Sequence, residues 1–197
     1  MDLPLYILDI DENLNDGSSV FAVGFVTMPA IERNYIAFDG TPKRIHFDVI
    51  DNEKQLLAGF LMVADQPIYR RDPDTNQEFY VSFPAQSINK IVSKLGRSGK
   101  QLSFNYDHND NTVSKTAYLQ QHFIINSEMG INTPKGFETA PDGSWFSIVR
   151  IDDKAEFEEA KARGGFSVEG YFNEFKLLDA PEQIYIDIKN KLLQCLN

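Results

Sequence analysis

The feature that most constrains the fold is a succession of short segments rich in β-branched and aromatic residues. Such a composition is typical of strands. Clusters of Asn, Asp, Gly and Pro, which favour turns, separate the segments. The segments are residues 5–10, 19–27, 44–50, 56–64, 79–83, 102–106, 116–126, 145–151 and 166–178. The sequence therefore predicts a mainly β (α+β) protein.

Two segments inside the chain have a helical pattern instead. The first follows Ser82, has apolar residues at the spacing of one helix face, and is predicted to end at Gly96. The second begins after Asp152 or Asp153. It is predicted to end at Gly164-Gly165, because a left-handed cap favours glycine.

A third helix is predicted at about 180–196, where a capping-box pattern opens it. Its apolar face, Ile184 to Leu196, would cover either the body of the protein or a second subunit, which leaves a homo-oligomer open. The 197 residues contain no repeat and no long linker. We therefore expect a single domain over residues 1–197, with a core at about 18–178 and a C-terminal helix at about 180–196.

The composition limits which partners the protein can bind and in which cellular compartment it is expected. The net charge is −10 and the basic residues are scattered, which argues against a nucleic-acid partner because phosphate neutralisation requires clustered Lys and Arg. Cys195 is the single cysteine, so a disulfide within the chain is excluded and a reducing cytosol is favoured. Neither a signal-peptide pattern nor an apolar run near the ~18 residues of a membrane span occurs. We expect a soluble intracellular protein without a membrane partner.

Metal and cofactor motifs are incomplete or absent in the sequence. Residues 9–15 resemble the beginning of an EF-hand loop, but Leu14 and Val20 stand where that loop requires glycine and glutamate. The three histidines have no helical His-x-x-x-His spacing that would favour zinc. Neither a Walker loop nor a dinucleotide fingerprint occurs. The sequence therefore predicts no metal site and no cofactor.

Two segments carry candidate catalytic residues. His108 stands where an apolar strand turns polar, a position that holds a side chain firmly while leaving it open to substrate. Ser167 follows Gly164-Gly165 at the start of a strand, where it shares one face with Glu169 and Tyr171. The glycines can let a peptide approach and free N–H groups for an oxyanion. Taken alone, each position is also typical of an ordinary loop histidine or a half-buried strand serine.

The order of these segments resembles a known family. The segments are Gly24-Phe25-Val26-Thr27-Met28-Pro29-Ala30-Ile31-Glu32, residues 59–70 (GFLMVADQPIYR), residues 80–83 (YVSF), Asp107-His108 and residues 165–172 (GFSVEGYF). In this order they resemble the XkdF-like phage serine proteases, which are grouped with the prohead proteases of tailed phages and the assemblins of herpesviruses. The resemblance covers about residues 18–175.

The resemblance implies an assemblin-like β-barrel with peripheral helices, in which the nucleophile and its histidine lie on neighbouring strands. It implies a capsid-maturation serine endopeptidase, with Ser167 as the nucleophile and His108 as the general base. Backbone N–H groups near Gly164-Gly165, or an arginine, would bind the oxyanion, and no cofactor is required. The implied substrates are phage scaffold and major capsid proteins, cleaved inside the assembling procapsid in the host cytoplasm.

The third catalytic residue has two candidates. A histidine base needs an acceptor at its far nitrogen, which fixes the tautomer and stabilises the imidazolium. Glu169 ranks first, because it would share the face of Ser167 at ~7 Å along the strand. His122 ranks second, because assemblins use a second histidine there. Asp107 would point the other way, and Ala22 stands where related proteases carry an acid.

Two alternatives remain open at this point. One is a catalytically inactive protease fold that serves as a scaffold, cargo or capsid-associated structural protein. The other is a metal-dependent hydrolase with an ion among Asp107, His108 and Asp110. An active pair predicts that Ser167 Oγ lies within about 3.5 Å of a His108 ring nitrogen. Side chains that point to opposite faces would favour the inactive protein.

Overall fold

The structure is a computed structural model, and it describes residues 3–27, 47–72 and 75–177. Strands dominate these ranges, and two α-helices and a short 3-10 helix (Ser127–Met129) interrupt them. The elements are β1 (Leu5–Asp9), β2 (Ser19–Val26), β3 (Asp48–Asp51), β4 (Leu56–Met62), β5 (Ile68–Arg71), β6 (Glu78–Ser82), α1 (Ala85–Ser98), β7 (Ser103–Tyr106), β8 (Asn109–Val113), β9 (Ala117–Ile124), β10 (Trp145–Ile151), α2 (Lys154–Arg163), β11 (Gly165–Tyr171) and β12 (Glu174–Leu177).

The strands form three four-stranded sheets. Their orders are β12-β1-β6-β5, β3-β4-β10-β9 and β11-β2-β7-β8. The predicted mainly β class is therefore confirmed. None of the three sheets closes into a barrel within the described ranges.

Aromatic side chains fill the space beneath the third sheet, β11-β2-β7-β8. Phe25 is fully buried, and its ring centre lies 5.5 Å from that of Phe104 and 6.0 Å from that of Phe166. The three side chains come from β2, β7 and β11, so they hold these strands together from one side. Because successive side chains on a strand alternate between faces, residues 24, 105 and 167 project to the other side.

The two helices begin and end at identifiable residues. α2 begins after Asp153, whose side chain accepts from the N–H groups of Ala155 and Glu156, and it ends at Gly164 with a φ of 85°. These bounds confirm the prediction. α1 passes through the predicted stop at Gly96 and ends two residues later, before Gly99, whose φ is 62°. The prediction for α1 was wrong because Gly96 adopts helical backbone and the left-handed residue is the next glycine.

The strand predictions were wrong in three places. The segment 166–178 forms two strands, β11 and β12, which belong to different sheets. β5 was not predicted, and neither was β8, whose residues are mostly polar and all exposed. The formation of β8 depends on the tight turn that returns the chain from β7. The predicted third helix lies outside the described residues, and no helix within the described ranges is long and apolar enough to cross a membrane.

The Asp- and Asn-rich loop between β1 and β2 surrounds a lysine. The Nζ of Lys94 donates to the carbonyl oxygen of Asp11 at 2.7 Å and to that of Asp16 at 3.1 Å. It also lies 3.5 Å from the Asp16 carboxylate, and the Lys94 side chain is only 4% exposed. The oxygen atoms of this loop thus bind the ammonium group of Lys94, which lies on α1.

Candidate active site

His108 lies at the tip of the hairpin formed by β7 and β8. Asp107 and His108 are the two residues between these strands, and both have positive φ values, 53° and 57°. Positive φ at both positions is the signature of a type I′ turn, whose twist matches that of the flanking strands. Histidine and aspartate adopt this conformation more often than most residues other than glycine. His108 is therefore a turn residue and not, as predicted, the end of a strand.

Ser167 and the β7–β8 hairpin are separated by β2. Ser167 on β11 is opposite Gly24 on β2, and Gly24 is opposite Asn105 on β7. The expectation that the serine and histidine lie on neighbouring strands is therefore wrong. Residues directly opposite each other project to the same face of a sheet, so Ser167 and Asn105 share one face with Gly24 between them.

Gly24 leaves room for the His108 ring. A Cβ atom added at Gly24 would lie 3.0 Å from both Cε1 and Nδ1 of His108. The imidazole therefore lies directly over Gly24, on the face to which Ser167 projects. Cβ atoms of opposite residues are about 5 Å apart, so the ring and the Ser167 side chain occupy adjacent positions above the sheet.

Glu169 contacts the Nδ1 atom of His108. Its Oε1 lies 2.9 Å from that nitrogen, and the side chains of His108 and Glu169 are 41% and 19% exposed. The same oxygen accepts a hydrogen bond of 2.6 Å from Nδ2 of Asn105, which is buried. A carboxylate at this distance favours the tautomer with the proton on Nδ1. Nε2 then carries the free lone pair that a general base requires.

Arg163 fixes the hairpin tip to the end of α2. Its Nε lies 3.1 Å from Oδ2 of Asp107, and its guanidinium group lies 4.7 Å from the ring centre of Tyr106. Burial raises the pKa of Tyr106 to about 12, and the nearby carboxylates of Glu156 and Glu159 add to this shift. Asp107 thus points away from His108, and its contact with Arg163 holds the turn beside the strand of Ser167.

Ser167 is 6% exposed and lines a cavity of about 50 Å³ beside β11. Its hydroxyl makes no hydrogen bond within the described part of the chain, so it is not bonded to His108. Hydrogen bonds between catalytic groups are often long before substrate binds. Ser167 and His108 thus lie on the same face of the sheet, as an active pair requires, but no hydrogen bond joins the serine hydroxyl to the imidazole ring.

His122 belongs to a different sheet. Its strand, β9, pairs with β10 at the edge of the sheet β3-β4-β10-β9. The indole Nε1 of Trp145 donates to His122 Nδ1 at 3.2 Å, and burial lowers the pKa of His122. The residue at Nδ1 of His108 is therefore Glu169, and His122 does not reproduce the arrangement with two histidines.

The predicted oxyanion residues lie immediately before Ser167. Gly164 adopts the left-handed conformation that ends α2, and its carbonyl oxygen accepts from the N–H of Phe47 at 3.2 Å. Gly165 begins β11 opposite Val26. A Cβ atom at Gly164 would meet nothing within 4 Å, so its backbone conformation, and not space, favours glycine there. The role of both glycines in oxyanion binding stays a prediction.

The residues proposed for a metal site point to different partners. His108 contacts Glu169, and Asp107 contacts Arg163. Among the residues that the structure describes, no group of three or more His, Cys, Asp or Glu side chains is arranged to hold a metal ion. The metal-dependent alternative therefore has no site in this part of the molecule.

Two residues of the site were not predicted from the sequence. Asn105 lies in a predicted strand although asparagine is unfavourable in strands, and Gly24 interrupts an apolar strand where glycine is unfavourable. Each was a signal of a special position. Only the strand register, which the sequence does not give, relates them to Ser167. Comparison with known proteins found no matching family model, curated protein or solved structure.

Proposed function

We propose that this chain is a serine endopeptidase in which Ser167, His108 and Glu169 form the catalytic group. The observation that carries the proposal is the contact of Glu169 with Nδ1 of His108, on the sheet face to which Ser167 projects. A carboxylate, an imidazole and a hydroxyl in this order are the components of a charge-stabilised nucleophile. The Asn105 hydrogen bond adds to the support, because it orients the carboxylate.

In the proposed reaction, Nε2 of His108 takes the proton of the Ser167 hydroxyl while Oγ attacks the peptide carbonyl carbon. The tetrahedral intermediate collapses, the C–N bond breaks, and the imidazolium returns its proton to the leaving amine. A water molecule, deprotonated by the same Nε2, then attacks the ester on Ser167; the C–Oγ bond breaks, the imidazolium returns its proton to Oγ, and the carboxyl product leaves. Glu169 stabilises the imidazolium in both steps, and N–H groups near Gly164-Gly165 stabilise the oxyanion.

We further propose that the biological role is capsid maturation in a tailed phage and that the fold is related to that of the assemblins. This part of the proposal is supported by the order of the sequence segments that resemble the XkdF-like proteases. Its substrates would be phage scaffold and major capsid proteins, inside the assembling procapsid in the host cytoplasm. A catalytically inactive, capsid-associated protein is the second candidate. It is favoured by the missing hydrogen bond between Ser167 and His108.

Co-expression with scaffold and capsid genes of the same phage separates the two candidates. The wild-type protein should yield shortened products, detected by intact-mass analysis, and Ser167→Ala should yield none. Ser103→Ala is the matched control. Ser103 is an exposed serine of the same sheet, opposite Ala22, and it contacts no histidine among the described residues. Continued processing by Ser167→Ala would refute the endopeptidase. Unprocessed proteins in every sample, together with stable co-purification, would support the inactive binding protein.

A further inference from the structure

Arg70 is the one charged residue in the lining of the cavity beside Ser167. Apolar side chains from several strands form the rest of its wall, including Leu8, Leu61, Met62, Phe83 and Phe172. Specific binding sites are commonly of this kind, apolar with a few polar groups that fix the orientation of the ligand. Arg70 lies on β5, and Ser167 lies on β11, which belongs to a different sheet. The two sheets therefore both contribute to the wall of the cavity.

Arg70 has no carboxylate partner within the described part of the chain. Its one hydrogen bond there runs from Nη1 to the carbonyl oxygen of Tyr69 at 3.0 Å. The carboxylate of Glu78, which is opposite Arg71 in the pairing of β5 with β6, accepts from the hydroxyl of Tyr69. A guanidinium group has five N–H donors and stays charged in proteins, so the described residues use only a small part of its hydrogen-bonding capacity.

In this protein, whose net charge is −10, several other basic side chains do contact a carboxylate, among them Lys90 and Arg163. Burial lowers the pKa of Arg70, which reflects the loss of water around its charge. A partly desolvated cation without a counter-ion costs free energy. A ligand that brings a carboxylate recovers that free energy when it binds, and it gains the two parallel N–H···O bonds of an arginine–carboxylate pair.

We propose that Arg70 determines substrate specificity by binding an acidic side chain, Asp or Glu, of the peptide that reacts at Ser167. The inference rests on the proposed endopeptidase, and it names the substrate class of the same site. The apolar walls contact the methylene groups of the acidic residue, and the guanidinium binds its carboxylate. The cavity of about 50 Å³ has room for a few water molecules, so it takes one side chain and not a folded segment.

Paired peptides test the specificity. Cleavage sites found in a peptide library should carry Asp or Glu at one fixed position. Replacing that residue by Asn or Gln should lower kcat/KM by about 30-fold or more. The guanidinium group of Arg70 then has no carboxylate partner in the complex. In Arg70→Met the acid-to-amide ratio should fall to near one. In Arg71→Met, which removes an exposed cation from the next position, the ratio should be unchanged.

A binding measurement separates this inference from the catalytic proposal. The Nε–Hε signal of Arg70, assigned with Arg70→Lys, should shift in the NMR spectrum of Ser167→Ala when N-acetyl-glutamic acid amide is added. N-acetyl-glutamine amide should leave it in place. Equal responses, or cleavage without an acidic preference, would overturn the role of Arg70 and leave the endopeptidase intact. A selective response without any peptide cleavage would keep the carboxylate site and overturn the endopeptidase.

Discussion

His108 and His122 are both contacted at Nδ1, but by groups of opposite character. Nδ1 of His108 faces the carboxylate of Glu169, and Nδ1 of His122 receives the indole N–H of Trp145. A carboxylate requires a proton on Nδ1 and leaves Nε2 free to accept another. An N–H donor requires a bare Nδ1, so the proton of the neutral ring is on Nε2. One histidine is thus prepared to be a base at Nε2, and the other is not.

The comparison teaches that the neighbours of a histidine, and not its exposure, decide what it can do. Both rings lie at the surface of a β-sheet. The first lies over a glycine, beside a serine, and its carboxylate partner is held by Asn105. The second packs edge-on against Trp145, with ring centres 5.8 Å apart. Its contacts are those of a structural side chain.

The largest expected difference is between the two histidine-to-alanine variants. His108→Ala should lower the rate of substrate cleavage by about 10³-fold or more, because the base of a serine nucleophile is lost. His122→Ala should stay within about twofold of the wild type. Time courses of processing in the co-expression system give both rates. Comparable losses in the two variants would show that the assignment of roles is wrong.

Removing the Nδ1 partner of each histidine should produce the next largest difference. Glu169→Gln should lower activity by about 10²–10⁴-fold, because the tautomer is no longer enforced and the imidazolium is less stable. Trp145→Phe removes the donor to His122. It should retain activity and lower the free energy of unfolding by about 1–3 kcal/mol, because the indole is fully buried. Urea unfolding and cleavage assays on both variants check the pair, and full activity in Glu169→Gln would contradict it.

Gly24→Ala should have a moderate effect that is specific to the site. The new methyl group would displace the His108 ring, from which it would otherwise be 3.0 Å away. A shift of about 1 Å in a reacting group costs up to 10²-fold in rate, so a loss of about 10–100-fold is expected. Gly17→Ala is the control, because a Cβ atom there meets nothing within 4 Å. If the two variants cleave equally fast, the position of the ring over Gly24 does not matter for catalysis.

The smallest effect concerns the pH dependence of stability. Burial lowers the pKa of His122 in the folded protein below its value in the unfolded chain. The unfolded state therefore takes up a proton more readily, and stability falls as the pH drops through about 6.5, the usual value for histidine. His122→Gln should flatten this part of the stability profile, measured by urea unfolding between pH 8 and pH 5. If the pH dependence of stability is the same in His122→Gln and the wild type, burial does not lower the pKa of His122 in the folded protein.

The sequence predicts local features of the site better than it predicts their arrangement. Asp153 and Gly164 delimit α2 by capping interactions within a few residues, so that helix was predictable. β8 was not, because its polar residues form a strand only through the turn at Asp107 and His108. The face shared by Ser167 and Glu169 follows from strand alternation. The position of His108 over that face depends on β2 lying between β11 and β7, a long-range pairing that no local pattern specifies.

Reaction with a neutral alkyl fluorophosphonate tests the central claim most directly, because it needs no knowledge of the natural substrate. The reagent bonds to an activated serine oxygen and releases fluoride. Intact-mass analysis and peptide mapping of the wild-type protein should find one adduct, on Ser167. His108→Ala should react at least about 100-fold more slowly, and His122→Ala should react like the wild type. An absent adduct, an adduct on another serine, or a rate that does not depend on His108 would contradict the account.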